Sequence, residues 1–71
     1  MDVNVSVEKN SSKTFYANVV DLQDYHNISG CPMGRGIDQT SAVNDLVFRI
    51  ELESHITIIP RVVRFNDWTT R

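Results

Sequence analysis

The sequence has little of what usually stabilises a small domain through cross-links. It contains one cysteine in 71 residues, so no disulfide can form within the chain. The cysteine, two histidines and loop aspartates follow no metal-ligand spacing, and we expect no metal site and no cofactor. A chain of this length buries only about 60% of its unfolded surface. Such a domain often gains stability by burying more surface in an oligomer or against a partner.

Long apolar runs and an excess of basic residues are also missing. No stretch approaches the ~20 apolar residues of a membrane span, and no basic-then-apolar signal opens the chain. We therefore expect no membrane association. The formal charge is −2, whereas nucleic-acid-binding domains usually carry a basic face, which argues against direct nucleic-acid binding. A lone free cysteine is typical of a reducing compartment, so the cytoplasm is the predicted location.

What the chain does contain is an ordered series of apolar patterns. Valines at alternate positions predict a strand over about residues 2–8 with one polar face. A polar, turn-forming segment over 9–13 predicts a hairpin connection. A second alternating run predicts a strand over about 14–22.

Residues 23–37 are the least regular part of the chain. They contain all three glycines together with Pro32. A short strand over 28–33 is an open alternative, confined to an edge or a bulge because proline cannot donate to a ladder. Loops of this length are often functional in small domains.

The third pattern has helical spacing. Asp38 or Thr40 is a suitable N-cap for a helix over about 41–53. One apolar stripe of this helix comprises Ala42, Val43, Leu46, Val47 and Ile50. A strand is the competing interpretation of 48–53, where apolar and charged residues alternate. The β-branched residues of 55–59 predict a final strand, which Pro60 makes either an edge strand or a bulged one and which 61–65 can continue.

Together these patterns predict one α+β domain over residues 1–65. We expect a small antiparallel sheet of three to four strands with one helix on one face, in the order β-β-(β)-α-β. Residues 66–71 are predicted to form a C-terminal tail.

No residue pattern indicates catalysis. The glycine-rich segment 30–36 precedes a helix, but Asp38 stands where a phosphate-binding loop needs a cation and would repel phosphate. Cys31 has no histidine at a diagnostic spacing, and we interpret it as a buried or half-buried structural thiol. The protein is therefore predicted not to be an enzyme, and a cysteine-dependent enzyme is the weakest alternative.

Four residues outside the predicted helix suggest a binding surface. Tyr25, Met33, Arg35 and Trp68 are of the aromatic, methionine and arginine types that are enriched at protein interfaces. Ordinary packing in a loop and a tail explains them equally well, and both interpretations stay open here.

The order of the motifs resembles the HicB-like antitoxin family. That family opens with a strand, a Glu-Lys-type turn, a second strand ending in Asp-Leu, and a Gly-Cys before its helix. The matching segments here are Val-Ser-Val-Glu-Lys (5–9), Phe-Tyr-Ala-Asn-Val-Val-Asp-Leu (15–22), Gly-Cys (30–31) and Gly-Ile-Asp-Gln-Thr-Ser-Ala-Val (36–43). Two departures are an insertion over Gln23–Ser29 and an end at the point where many members continue into a DNA-binding domain, so the resemblance implies the partner-binding half and no operator binding.

The resemblance, which covers about residues 3–60, implies a partial RNase H-like domain without its catalytic acids. It also implies self-association, here expected as a homodimer, and neutralisation of a small RNA-cleaving toxin by covering it. The function predicted by resemblance is thus a non-enzymatic module that occludes a protein partner. The alternative is a small phage- or mobile-element-encoded inhibitor of a host nucleic-acid enzyme.

Overall fold

A computed structural model describes residues 1–28 and 30–69; Ser29, Thr70 and Arg71 lie outside the described residues. The elements in chain order are β1 (Asp2–Ser11), β2 (Thr14–Val19), a single turn of 3-10 helix (Leu22–Asp24), β3 (Met33–Gly36), α1 (Gln39–Ser54) and β4 (Ile59–Asp67). The strands form one sheet in the order β3-β2-β1-β4, with α1 packed on one face. The predicted α+β class, with four strands and one helix, is confirmed.

The sheet is mixed, which differs from the expected antiparallel arrangement. β1 pairs antiparallel with β2, and β2 pairs antiparallel with β3, but β4 runs parallel to β1. The cause is the helix between β3 and β4. A helical crossover returns the chain to the end where it started, so the following strand takes the direction of the preceding one.

The hairpin forms where the sequence predicts it, with shifted ends. β1 extends beyond residue 8 to Ser11 and carries an irregularity between Lys9 and Ser11. β2 ends at Val19 instead of 22, because the chain turns there into the 3-10 helix. The alternative strand over 28–33 does not form: of its described residues only Met33 lies in a strand, where it begins β3 directly after Pro32.

The helix is longer than predicted by two residues at its start and one at its end, and the strand interpretation of 48–53 is wrong. Asp38 is the N-cap, since its Oδ1 accepts a hydrogen bond of 2.7 Å from the Ser41 N–H. The helix ends at Ser54 and is capped by His55, whose left-handed backbone (φ 56°) reverses the chain while its N–H still donates to the Glu51 carbonyl.

The last strand starts later and ends later than predicted. Residues 55–58 are not in a strand, because Ile58 is buried in the core and its N–H donates to the Glu51 carboxylate at 3.2 Å. β4 runs from Ile59 through Pro60 to Asp67, two residues beyond the predicted domain boundary. The prediction that Pro60 marks an edge is confirmed by the strand order.

The core lies between α1 and the sheet face beneath it. Its buried side chains are Val3, Val5, Val7, Ala17, Ile28, Ala42, Val43, Leu46, Ile50 and Ile58. Val47 of the predicted stripe is only partly buried against this core. No described helix is long and apolar enough to cross a bilayer.

Candidate protein-binding surfaces

The four residues predicted to form one binding surface are not all brought together. Met33 and Arg35 lie on β3, whereas Trp68 follows β4. These strands form opposite edges of the sheet, separated by three strand spacings or roughly 14 Å. Met33 and Trp68 are both more than half exposed.

Tyr25 has a structural environment. Its ring packs against the core, and its hydroxyl accepts a hydrogen bond of 3.3 Å from the Asn4 N–H of β1. Asn4 in turn donates from its side chain to the Asp21 carboxylate at 3.2 Å. Tyr25 and Ile28 thus fix the loop between β2 and β3 against the core of the sheet.

The β3 edge is closed by the helix. The Arg35 N–H points away from β2 and donates to the Asp45 carboxylate of α1 at 2.9 Å. Asp45 also accepts from Arg49 Nε at 3.1 Å. The backbone bond from Arg35 and the bond from Arg49 lower the pKa of Asp45, so the carboxylate stays charged and available as an acceptor.

Two glycines make this close approach possible. A Cβ at Gly34 would collide with the Ala42 carbonyl oxygen and the Leu46 amide nitrogen, and a Cβ at Gly36 would meet Ser41 and Ala42. The helix therefore lies directly on β3. On the other face of the sheet, the Arg35 guanidinium lies 6.0 Å from the centre of the Tyr16 ring.

The β4 edge is exposed and apolar. Every residue of β4 is exposed or only partly buried, and α1 makes little contact with the strand. The exposed apolar side chains of β4 and of Trp68, which directly follows it, are Ile59, Val62, Val63, Phe65 and Trp68. The Phe65 ring lies against Phe15 with their centres 6.4 Å apart, and 46% of the Phe65 surface remains exposed.

The backbone of β4 contains a bulge that decides which peptide groups face outward. The Ile59 N–H donates to the Met1 carbonyl, and the Trp68 N–H donates to the Lys9 carbonyl. The peptide groups of every second residue in a strand point to the same side. Because the amides of Ile59 and Trp68 point toward β1, the alternation from one end places Val63 toward β1 and that from the other end places Arg64 toward it. The register with β1 shifts at this point. Val62 and Phe65 consequently direct theirs outward, where no described residue accepts them.

A second exposed apolar pair lies on the outer face of α1. Phe48 and Leu52 are one helical turn apart and are 63% and 62% exposed. The alternation that suggested a strand over 48–53 concealed this pair, because it placed Phe48 and Leu52 on the same face as buried Ile50. The clue in the sequence was their position outside the apolar stripe of the helix.

The described residues hold no group of three His, Cys, Asp or Glu side chains close enough to bind a metal ion. Cys31 is exposed, so the expectation of a buried or half-buried thiol is wrong, because the chain around it lies in the surface loop before β3. No protein-family model, curated protein or solved structure matches this chain.

Proposed function

We propose that the protein is a non-enzymatic binding module that acts in the cytoplasm by covering a protein partner, as the HicB-like antitoxins it resembles do. The observation that carries this proposal is the pair of exposed apolar surfaces, one on β4 and one on the outer face of α1. Exposed apolar side chains that cluster on a small domain mark sites of protein interaction. The element order of two strands, a short strand and an alanine-bearing helix is compatible with the resemblance.

The partner is a small RNA-cleaving toxin, and it binds the outer face of α1. Phe48 and Leu52 offer the i, i+4 anchors with which an amphipathic helix fills a groove on its partner. The Arg35–Asp45 bond holds β3 beside the helix, but the side chains of Arg35 and Met33 lie on the sheet face away from α1 and form no part of this surface. The protein also self-associates, and the β4 surface serves that second contact.

The test is co-expression with each reading frame that neighbours its gene, scored by cell growth and by co-purification. We expect one neighbouring product to stop growth and the protein to restore it. The double variant Phe48→Ser/Leu52→Ser should weaken binding by about tenfold or more, as expected for two central apolar anchors. Glu53→Ser, an exposed polar position on the same helix, is the matched control and should bind as the natural protein does.

Two outcomes would contradict the proposal. Rescue that survives the Phe48→Ser/Leu52→Ser change would exclude the α1 surface. Co-purification of a host nucleic-acid enzyme, without any toxic neighbour, would favour the alternative function of an inhibitor of such an enzyme.

A further inference from the structure

We propose that β4 pairs antiparallel with β4 of a second copy, about a two-fold axis that passes between Val63 and Arg64. The two sheets then join at this edge into one continuous sheet. This inference rests on the self-association included in the proposed function and identifies the surface and register that produce it.

The outward-facing peptide groups define the register. Val62 and Phe65 both direct their N–H and C=O groups away from β1. With the axis between Val63 and Arg64, Val62 of each copy lies opposite Phe65 of the other. Such facing residues exchange both peptide hydrogen bonds, which satisfies the amides that the single copy leaves open.

The bulge indicates a second copy as the occupant. Outward-facing residues of a regular strand recur every two positions, but Val62 and Phe65 are three positions apart. A regular strand has one residue fewer than β4 over this stretch, as β1 does, and leaves one residue of the bulge without an opposite partner. A second β4 carries the same bulge, so the two strands face each other residue for residue across it.

The side chains agree with this register. Val62 and Phe65 lie on the helix side of the sheet, opposite Val5 and Val7 of β1, so the two copies bring four apolar side chains together there. On the other face, Arg61 lies opposite Asn66 of the second copy. Arg64 lies opposite Val63, so no two like charges face each other directly. Pro60, which has no N–H to donate, limits the ladder at its end.

The first test is the mass in solution by sedimentation equilibrium at tens of micromolar. We expect twice the 8.1 kDa of the single chain. Val62→Lys places a charge on the pairing edge, a device by which natural edge strands avoid association, and should raise the dimer dissociation constant about tenfold or more. Leu52→Lys, at a more exposed apolar position on α1, is the control and should leave the dimer unchanged.

The second test fixes the register by cross-linking. In a Cys31→Ser background, the double variant Arg61→Cys/Asn66→Cys should form a disulfide-linked dimer on mild oxidation. These two positions form a non-hydrogen-bonded pair across the axis, in which the facing side chains lie close together. Arg61→Cys alone should not cross-link, since its two copies would lie roughly 16 Å apart along the strands.

The outcomes of these tests distinguish the β4 interface from the self-association on which it rests. A single-chain mass at every concentration would overturn both the self-association and this interface. A dimer that resists Val62→Lys and does not cross-link would overturn the interface alone. Loss of partner binding in Val62→Lys with a monomeric natural protein would show that a partner occupies the edge. The mass and cross-linking results do not bear on the toxin-binding test at Phe48 and Leu52.

Discussion

The two edges of the sheet are constructed in opposite ways. The β3 edge has four residues, two of them glycines, and α1 lies so close that Asp45 accepts the outward amide of Arg35. The β4 edge has nine residues, exposes several apolar side chains and receives almost no cover from the helix. Sheet edges invite pairing with other chains unless they are short, charged, covered, or interrupted by proline or a bulge. The β3 edge is short and covered, whereas the β4 edge carries Pro60 and a bulge but leaves the outward amides of Val62 and Phe65 open.

The largest loss of stability is expected in the core, where α1 packs on the sheet. Leu46 is fully buried between α1 and the sheet, so Leu46→Ala should cost about 2–5 kcal/mol through lost burial and a residual cavity. In a domain of this size, each kcal/mol lowers Tm by roughly 4–8 °C. Thermal unfolding followed by circular dichroism measures the change.

Leu52→Ala is the matched control for that experiment, since it makes the same substitution on the exposed face of the same helix. The free energy of unfolding should change by less than about 0.5 kcal/mol. Equal losses for Leu46→Ala and Leu52→Ala would mean that the helix does not pack on the sheet through the stripe described above.

A somewhat smaller effect is expected at the glycine that lets the helix cover β3. Gly34→Ala forces its Cβ against the backbone of Ala42 and Leu46, and overpacking of this kind costs about 1–3 kcal/mol. Urea unfolding measures the loss. Because the contact involves backbone atoms that cannot rotate away, unchanged stability would contradict the close approach of α1 to this edge.

The smallest effect concerns the carboxylates at the helix. Hydrogen bonds from Ser41 lower the pKa of Asp38, and bonds from Arg35 and Arg49 lower that of Asp45. Because each folded-state pKa lies below the unfolded one, the stability they contribute is present above about pH 4 and is lost as the pH falls through the folded values. We expect Tm to fall below pH 4, and to fall less in the Asp38→Asn/Asp45→Asn double variant. An identical acid response in both proteins would argue against these bonds.

The part of the fold that α1 covers could largely be predicted from the sequence, because local patterns determine its strands and the helix. Alternating valines place β1, the spacing of Leu46 and Ile50 places α1, and Asp38 marks its start. The direction of β4 could not be predicted, since it depends on the crossover of the whole helix and not on the strand's own residues. Nor could the separation of Arg35 from Trp68, because strand order is a long-range property that no local pattern encodes.

The candidate surfaces were harder to predict for the same reason. Val62 and Phe65 read as ordinary members of a strand, and only the pairing of β4 with β1 shows that their amides face outward. Trp68 was identified from its residue type alone, and it does lie exposed beside this edge. Tyr25 was chosen on the same basis, but its ring packs against the core and its hydroxyl accepts a hydrogen bond from β1.

The contrast between the two edges can be tested most directly by amide hydrogen exchange, measured residue by residue by NMR as a function of protein concentration. We expect exchange at Val62 and Phe65 to be fast in dilute protein and to slow as the concentration rises to hundreds of micromolar. Exchange at Arg35, whose amide is bonded within one copy, should be independent of concentration. If Val62 and Phe65 exchange equally fast at every concentration, β4 is not an association edge and the account is wrong.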